Sequence, residues 1–210
     1  MKSVQFIKKL NNTELGKGRT HETYVLVPSV IDVSDIFRAL DVPVEFMDKY
    51  THEKVTTRNI VTKSGEKRIV GLGQYYRARG LSAGDEIAFE KRILRGREEY
   101  YVCTKKNRDT LVFQKSRYGF EILTPERLSE FMSMAGRTET KVEIPFLGAQ
   151  RKRNDSPETT DYHDILIDGE SLLTSYGGKD IGEIRIRGNA VVTSEFYGWK
   201  KYVFETEEPK

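Results

Sequence analysis

The sequence predicts a mainly β protein with short helices, arranged over residues 1–125 as a small open or pseudo-barrel. Short runs rich in Val, Ile, Tyr and Phe recur along that stretch with loose apolar alternation, and Gly, Pro, Asn and Ser signals separate them. Only two helical patterns interrupt these runs, one after the second strand and one after a hairpin. There is no internal repeat and no low-complexity tract.

Val4–Leu10 alternates and reads as a strand, and the polar stretch 11–19 with Gly16 and Gly18 reads as a loop. Thr23–Val27 is a strand ended by Pro28. Ser29–Leu40 places Val33, Ile36, Phe37 and Leu40 at helical spacing, with Ser29 or Asp32 as cap, so the pattern predicts a helix closed before Pro43. Val44–Tyr50 and Lys54–Thr62 are strands. Ser64-Gly65 turns the chain into Lys67–Val70, which makes a long hairpin with an exposed tip. Leu72–Arg79 is a short helix stopped by Gly80. Glu86–Leu94, Glu99–Thr104 and Thr110–Gln114 complete the strands. Beyond Leu123 the pattern changes. Pro125–Ala135 reads as a helix capped by Thr124, and Ile165–Ile167, Glu183–Ile186, Ala190–Thr193 and Lys201–Phe204 are strand-like. The expected division is therefore a domain at 1–125 and an appended helix and β-rich segment, of no assigned function, at 126–210.

Length and composition exclude several classes. The 210 residues, 37% hydrophobic and 32% charged, suit one domain with an appendage or two small domains. Eleven Tyr, ten Phe and one Trp argue against disorder. Apolar runs such as Tyr24–Val27 are too short to span a bilayer, and the first one stops at Lys8 and Lys9, unlike a signal peptide. The single Cys103 excludes an internal disulfide and a Cys-rich zinc module, so a reducing cytoplasm is the expected setting. Net charge is only +3, but residues 1–125 carry +7 and residues 126–210 carry −4. A basic front suggests a polyanionic partner.

Enzyme motifs are weak. Gly16-Lys17-Gly18-Arg19-Thr20 lacks the spacing and the following helix of a phosphate-binding loop. His21, His52 and His163 are scattered, and no metal or cofactor is expected. Glu139-Thr140-Lys141 has the local form of a metal-nuclease pair, but no Asp precedes it on a strand. A small metal-dependent nuclease built on Glu139 and Lys141 is one alternative reading, and a protein-interaction module using the acidic back half is another.

Two polar segments of the basic front are more informative. One spans 13–22, between two strands. The other is the hairpin tip, Lys63 to Arg68. Neither has the apolar residues to bury itself, so both reach outward. A loop or β-ribbon fits the major groove of duplex DNA. Lys and Arg there bond guanine N7 and O6, and Glu accepts from cytosine N4. Glu would weaken a purely phosphate-binding surface, so a Glu-Lys-Arg triplet holds the chemistry for reading G·C pairs.

At these segments the chain resembles the effector DNA-binding domain of EcoRII-type (type IIE) restriction endonucleases, whose pseudobarrel is shared with the plant B-three domain. The matching frames are "FIKKLNNTELGKGRTHETYVLVPS", "GEKRIVGLG" and "LSAGDEIAFE". The resemblance covers the first 105 to 125 residues. It implies a seven-stranded open pseudobarrel of DNA-binding type that grips the major groove with two arms and reads CCWGG. Carried over residue by residue, the first arm is Lys17, Arg19, Thr20 and His21, and the second is Lys63, Glu66, Lys67 and Arg68. Apart from the resemblance, Arg79 is a further expected DNA contact, to phosphate. Two departures stand out. The first loop is longer between Thr13 and His21, and Ser64 replaces a basic residue two positions before Glu66. The resemblance also implies that this domain is non-catalytic and monomeric, and that the full-length protein carries a nuclease domain elsewhere.

Overall fold

A computed structural model describes residues 1–17, 21–151, 158–177, 181–196 and 198–205. The front of the chain forms β1 (Lys2–Lys9), β2 (Tyr24–Val27), β3 (Pro43–Asp48), β4 (Lys54–Val61), β5 (Lys67–Val70), α1 (Gly73–Arg79), β6 (Glu86–Leu94) and β7 (Arg97–Lys105). Then come β8 (Thr110–Ser116), β9 (Gly119–Ile122), α2 (Leu128–Ala135), β10 (Val142–Glu143), β11 (Phe146–Arg151) and β12 (Thr159–His163). β13 (Leu166–Ile167), β14 (Glu170–Ser171), α3 (Leu172–Ser175), β15 (Ile181–Arg187), β16 (Ala190–Glu195) and β17 (Trp199–Glu205) follow.

These elements fall into two compact units, Met1–Lys106 joined by the chain from Gly198, and Asn107–Tyr197. In the first, eight strands form one open, curled half-barrel sheet in the order β17-β1-β6-β7-β3-β4-β5-β2. Seven of the eight runs expected as strands over residues 1–125 form β1 to β7 of this sheet, whereas Thr110–Gln114 lies in β8 of the second unit. The eighth strand of the sheet is a correction: β17 pairs antiparallel with β1 from Lys2↔Glu205 to Lys8↔Trp199, so the end of the chain belongs to the front unit. The boundary at 125 also moves. Ile184 on β15 pairs with Leu111 on β8, which puts residues 107–125 in the second unit. Periodicity marks a strand but not its partner, and both shifts come from long-range pairing.

The core of the first unit gathers Val4 and Phe6 (β1), Val25 and Val27 (β2), Phe46 (β3), Ile69 (β5), Phe89 (β6) and Val102 (β7). On β4 every second residue from Val55 to Asn59 is buried, as a half-buried strand requires. Phe37, Phe46 and Phe89 make a triangle of tilted and edge-on rings with centroids 5.2–5.9 Å apart. Phe37 comes from the segment expected to be a helix. Ser29–Leu40 instead makes turns, with Ile31 N donating to Pro28 O and Phe37 N to Val33 O. Ile31, Val33, Ile36 and Phe37 are buried, while Leu40 stays exposed. β-branched residues crowd this segment. In addition, the Asp32 carboxylate takes both Ser34 N (2.9 Å) and Ser34 Oγ (2.8 Å), which favours a turn over a helix. α1 ends as expected, with Gly80 at φ 54°. Gly71, between β5 and α1, has φ +95°, and a Cβ there would lie 2.5 Å from Thr56 O, so only glycine fits.

The second unit has a six-stranded sheet, β11-β12-β9-β8-β15-β16, and a small sheet, β10-β13-β14. Its core centres on Phe113, Phe120 and Tyr176. Pro125–Arg127 is a 3₁₀ turn before α2, and Thr124 does not cap it. Thr124 Oγ1 accepts Val112 N at 3.1 Å instead. Glu139-Thr140-Lys141 lies in a bend, not a strand. Lys141 pairs with Glu143, and Asp168 Oδ1 accepts the Lys141 backbone N–H at 2.8 Å. Among the described residues no three His, Cys, Asp or Glu side chains cluster as metal ligands. No helix among them is long and apolar enough to cross a membrane.

Candidate nucleic-acid interface

The first arm rises from a buried ionic base. Glu14 is 1% exposed and Lys8 6%, and Lys8 Nζ lies 2.8 and 2.9 Å from the two carboxylate oxygens. The same carboxylate accepts Asn11 N (3.1 Å) and Leu26 N (2.8 Å), and Glu14 O accepts Tyr24 N (3.0 Å). β2 is an edge strand, so its outward N–H groups would otherwise lack partners. One residue of the arm satisfies two of them. Above this base Leu15 bridges Thr23, and the arm leaves the barrel between them. Gly16 has φ +74°, and a Cβ there would meet His21 O at 2.9 Å, so the neck of the arm closes only around glycine. Lys17 and His21 are exposed, and His21 Nδ1 lies 3.3 Å from Gly16 O. Arg19 and Thr20, also expected in this arm, lie outside the described residues.

The second arm is the β4–β5 hairpin. Val61 pairs with Lys67, and Thr62 closes the turn: Thr62 N donates to Glu66 O (2.9 Å), while Thr62 Oγ1 accepts Glu66 N (3.1 Å). Lys63, Glu66 and Lys67 are all exposed. Among the described residues neither these two lysines nor Lys17 makes an ion pair.

β5 also pairs with β2, Leu26 against Arg68 and Val25 against Ile69. Ile69 therefore enters the core, and Arg68 lies on the opposite face with Tyr24. The Arg68 guanidinium stacks 4.1 Å above the Tyr24 ring. Its Nε and Nη2 donate to Glu66 Oε2 (3.1 and 2.6 Å), and its Nη1 donates to Glu22 Oε2 (2.9 Å). Burial pushes the Tyr24 phenol above its usual pKa, so the ring under Arg68 stays neutral. One side chain thus ties the exit of the first arm to the tip of the second. Glu66 Oε1 makes no hydrogen bond among the described residues and remains open as an acceptor.

Arg79 sits elsewhere. Its Nη2 is 2.7 Å from Asp48 Oδ2, a fully buried carboxylate that also accepts the Tyr75 hydroxyl (2.5 Å) and the Tyr50 and Thr51 N–H groups. Burial alone would raise the Asp48 pKa, but these donors outweigh it and hold the carboxyl down to about 2. This is a structural partnership at the end of α1.

The sequence singles out both segments, but not the contacts that Glu14, Glu22 and Tyr24 make at their bases. No local signal marks them. Only the register of β2 against β5 brings Glu22 and Tyr24 to Arg68, and only the fold buries Glu14.

No protein-family profile and no curated protein matches the chain. The solved structures similar to it include the following two. An Arabidopsis FUS3–DNA complex is 18% identical, covering 48% of this chain and 94% of that one, with a TM-score of 0.38. The B3 domain of the UbaLAI restriction endonuclease, a methionine-substituted mutant with cognate DNA, is 16% identical over 79% of this chain and 86% of that one, with a TM-score of 0.34.

Proposed function

We propose that the chain is a sequence-specific duplex-DNA-binding domain whose two arms enter the major groove, and that it targets or regulates a restriction endonuclease. The observation that carries this reading is the pair of polar arms joined by Arg68, with exposed lysines that, among the described residues, make no ion pair on each arm and an open carboxylate oxygen on Glu66.

Each group has a task. Lys17, Lys63 and Lys67 meet phosphates or guanine acceptors, and His21 extends from the first arm toward the groove. Glu66 Oε1 accepts from a cytosine N4 amino group. Arg68 spends three N–H donors on Glu66 and Glu22, so it orients Glu66 and leaves only its remaining donors for a base. Arg19 and Thr20 belong to the same arm by sequence. Arg79 supports α1 through Asp48. CCWGG is the first site to test, from the sequence resemblance, and the nuclease chemistry belongs to another domain of the full-length protein.

The test is a gel-shift titration at about 0.1 M salt, where non-specific binding is already weakened. The probes are a CCWGG duplex, a one-base variant and a random duplex. Binding to the first at least about 10³-fold tighter than to the random duplex is expected. Equal weak binding to all three excludes CCWGG and calls for selection from a random library. No binding to any duplex refutes the reading.

A further inference from the structure

Glu22 has no part in the reading so far beyond holding Arg68, yet its position is unusual. It is the last residue of the first arm before Thr23, its carboxylate is 61% exposed, and it faces the guanidinium that holds Glu66. The unit formed by Glu22, Arg68 and Glu66 contains two carboxylates and one guanidinium. Its net charge is −1, and it stands where the two arms converge. Among the described residues the exposed Lys63 and Lys67 of the hairpin and Lys17 of the first loop make no ion pair.

We propose that Glu22 is a specificity-determining residue: it makes the meeting point of the arms anionic, so that backbone phosphate is turned away and an exocyclic amino group of a base is admitted. The proposal rests on the DNA-binding reading above. The physics is simple. A phosphate brought to a −1 centre is repelled, whereas the N4 amino group of cytosine or the N6 amino group of adenine is a hydrogen-bond donor and is attracted. If Glu22 were neutral, the centre would carry no net charge. The flanking lysines would then hold any duplex by its backbone, and affinity would rise where no correct base edge is offered. Discrimination would be lost through tighter binding of the wrong DNA.

The experiment compares Glu22→Gln, Glu22→Asp and the unaltered chain by fluorescence titration on a selected cognate duplex and a random duplex. Glu22→Gln keeps an oxygen for Arg68 but removes the charge. Its affinity for random duplex should rise about five-fold, the upper range for one exposed charge, while the cognate duplex should show no such gain, so that the ratio of cognate to random affinity falls by at least about five-fold. Glu22→Asp keeps the charge but shortens the reach to Arg68. It should leave random-duplex affinity at the original level. Trp199 fluorescence confirms that each variant is folded. Equal losses on both duplexes for Glu22→Gln would mean that Glu22 only holds the arm in shape, and would overturn the proposal. So would unchanged affinity on both, or a rise on random duplex that Glu22→Asp shares. Failure of the unaltered chain to bind any duplex overturns the DNA-binding reading itself, and the role of Glu22 with it. A positive result for the unaltered chain separates the two.

Discussion

Replacing Glu14 by Gln tests whether the first arm stands on its ionic base. The carboxylate and the Lys8 ammonium are 1% and 6% exposed, so the pair is fully withdrawn from water. The substitution removes the charge and leaves the ammonium buried without its counter-ion. It also turns one acceptor into a donor, which faces the Asn11 or the Leu26 N–H that the carboxylate now satisfies. Breaking one side of a buried pair costs about 3–5 kcal/mol. With a urea dependence near 2 kcal/mol per molar, the unfolding midpoint should fall by about 1.5–2.5 M. The sole tryptophan, Trp199, lies in β17 and so belongs to the same unit as the arm. Its fluorescence therefore follows this unit without interference from the second, which need not unfold in the same transition. A shift below about 0.5 M would mean that the pair contributes little beyond what a neutral hydrogen bond provides, and the account of the arm's base would be wrong.

Three further outcomes are expected. Glu66→Ala, and Arg68→Ala through the release of Glu66, should each cost about 1–3 kcal/mol on a selected duplex and little on random DNA, and equal losses on both in gel-shift titrations would exclude base reading. Arg79→Ala should lower the stability of the first unit by about 1.5–3 kcal/mol, because it strips a charged donor from buried Asp48, and should leave the salt dependence of DNA binding unchanged; a salt slope flattened by about one at unchanged stability would instead make it a phosphate contact. Asp48 and Glu90 are both held down to about 2, against burial, by their hydrogen-bond and ionic partners, Arg92, Lys49 and Ser3 in the case of Glu90. Lowered carboxyl pKa values give stability that is complete above the unfolded values near 4 and is lost as pH falls toward 2, at most about 2–3 kcal/mol for each group. Acid titration of Trp199 fluorescence should show this loss between about pH 4 and pH 2, and Asp48→Asn should reduce it; a flat profile across that range would contradict the assignment.

Much of the barrel was legible because a strand declares itself through a period of two. Val55, Thr57 and Asn59 alternate with exposed neighbours on β4, and Gly65 and Gly80 stand where the chain must turn or stop. The arms were legible for a related reason: polar runs flanked by strands have nothing with which to bury themselves. Residues 29–40 misled because their apolar spacing suits a helix face. That face is instead buried by a looping segment, whose β-branched residues and Asp32–Ser34 contacts favour turns. β9, β11 and β12 were missed because their short segments carry little alternation.

By itself the sequence determined where most of the barrel strands run, where the chain turns, and that the hairpin tip stays in water. These are local properties, set by side-chain periodicity and by the freedom or restriction of single residues. Only the tertiary structure decided the rest. β17 closes onto β1, residues 107–125 join the second unit, Glu14 is buried beneath the first arm, and Glu22 meets Arg68 across 46 positions of sequence. Each of these depends on strand pairing and register between distant segments. Backbone hydrogen bonds are the same for every partner, so that choice is made by the packing of the whole unit.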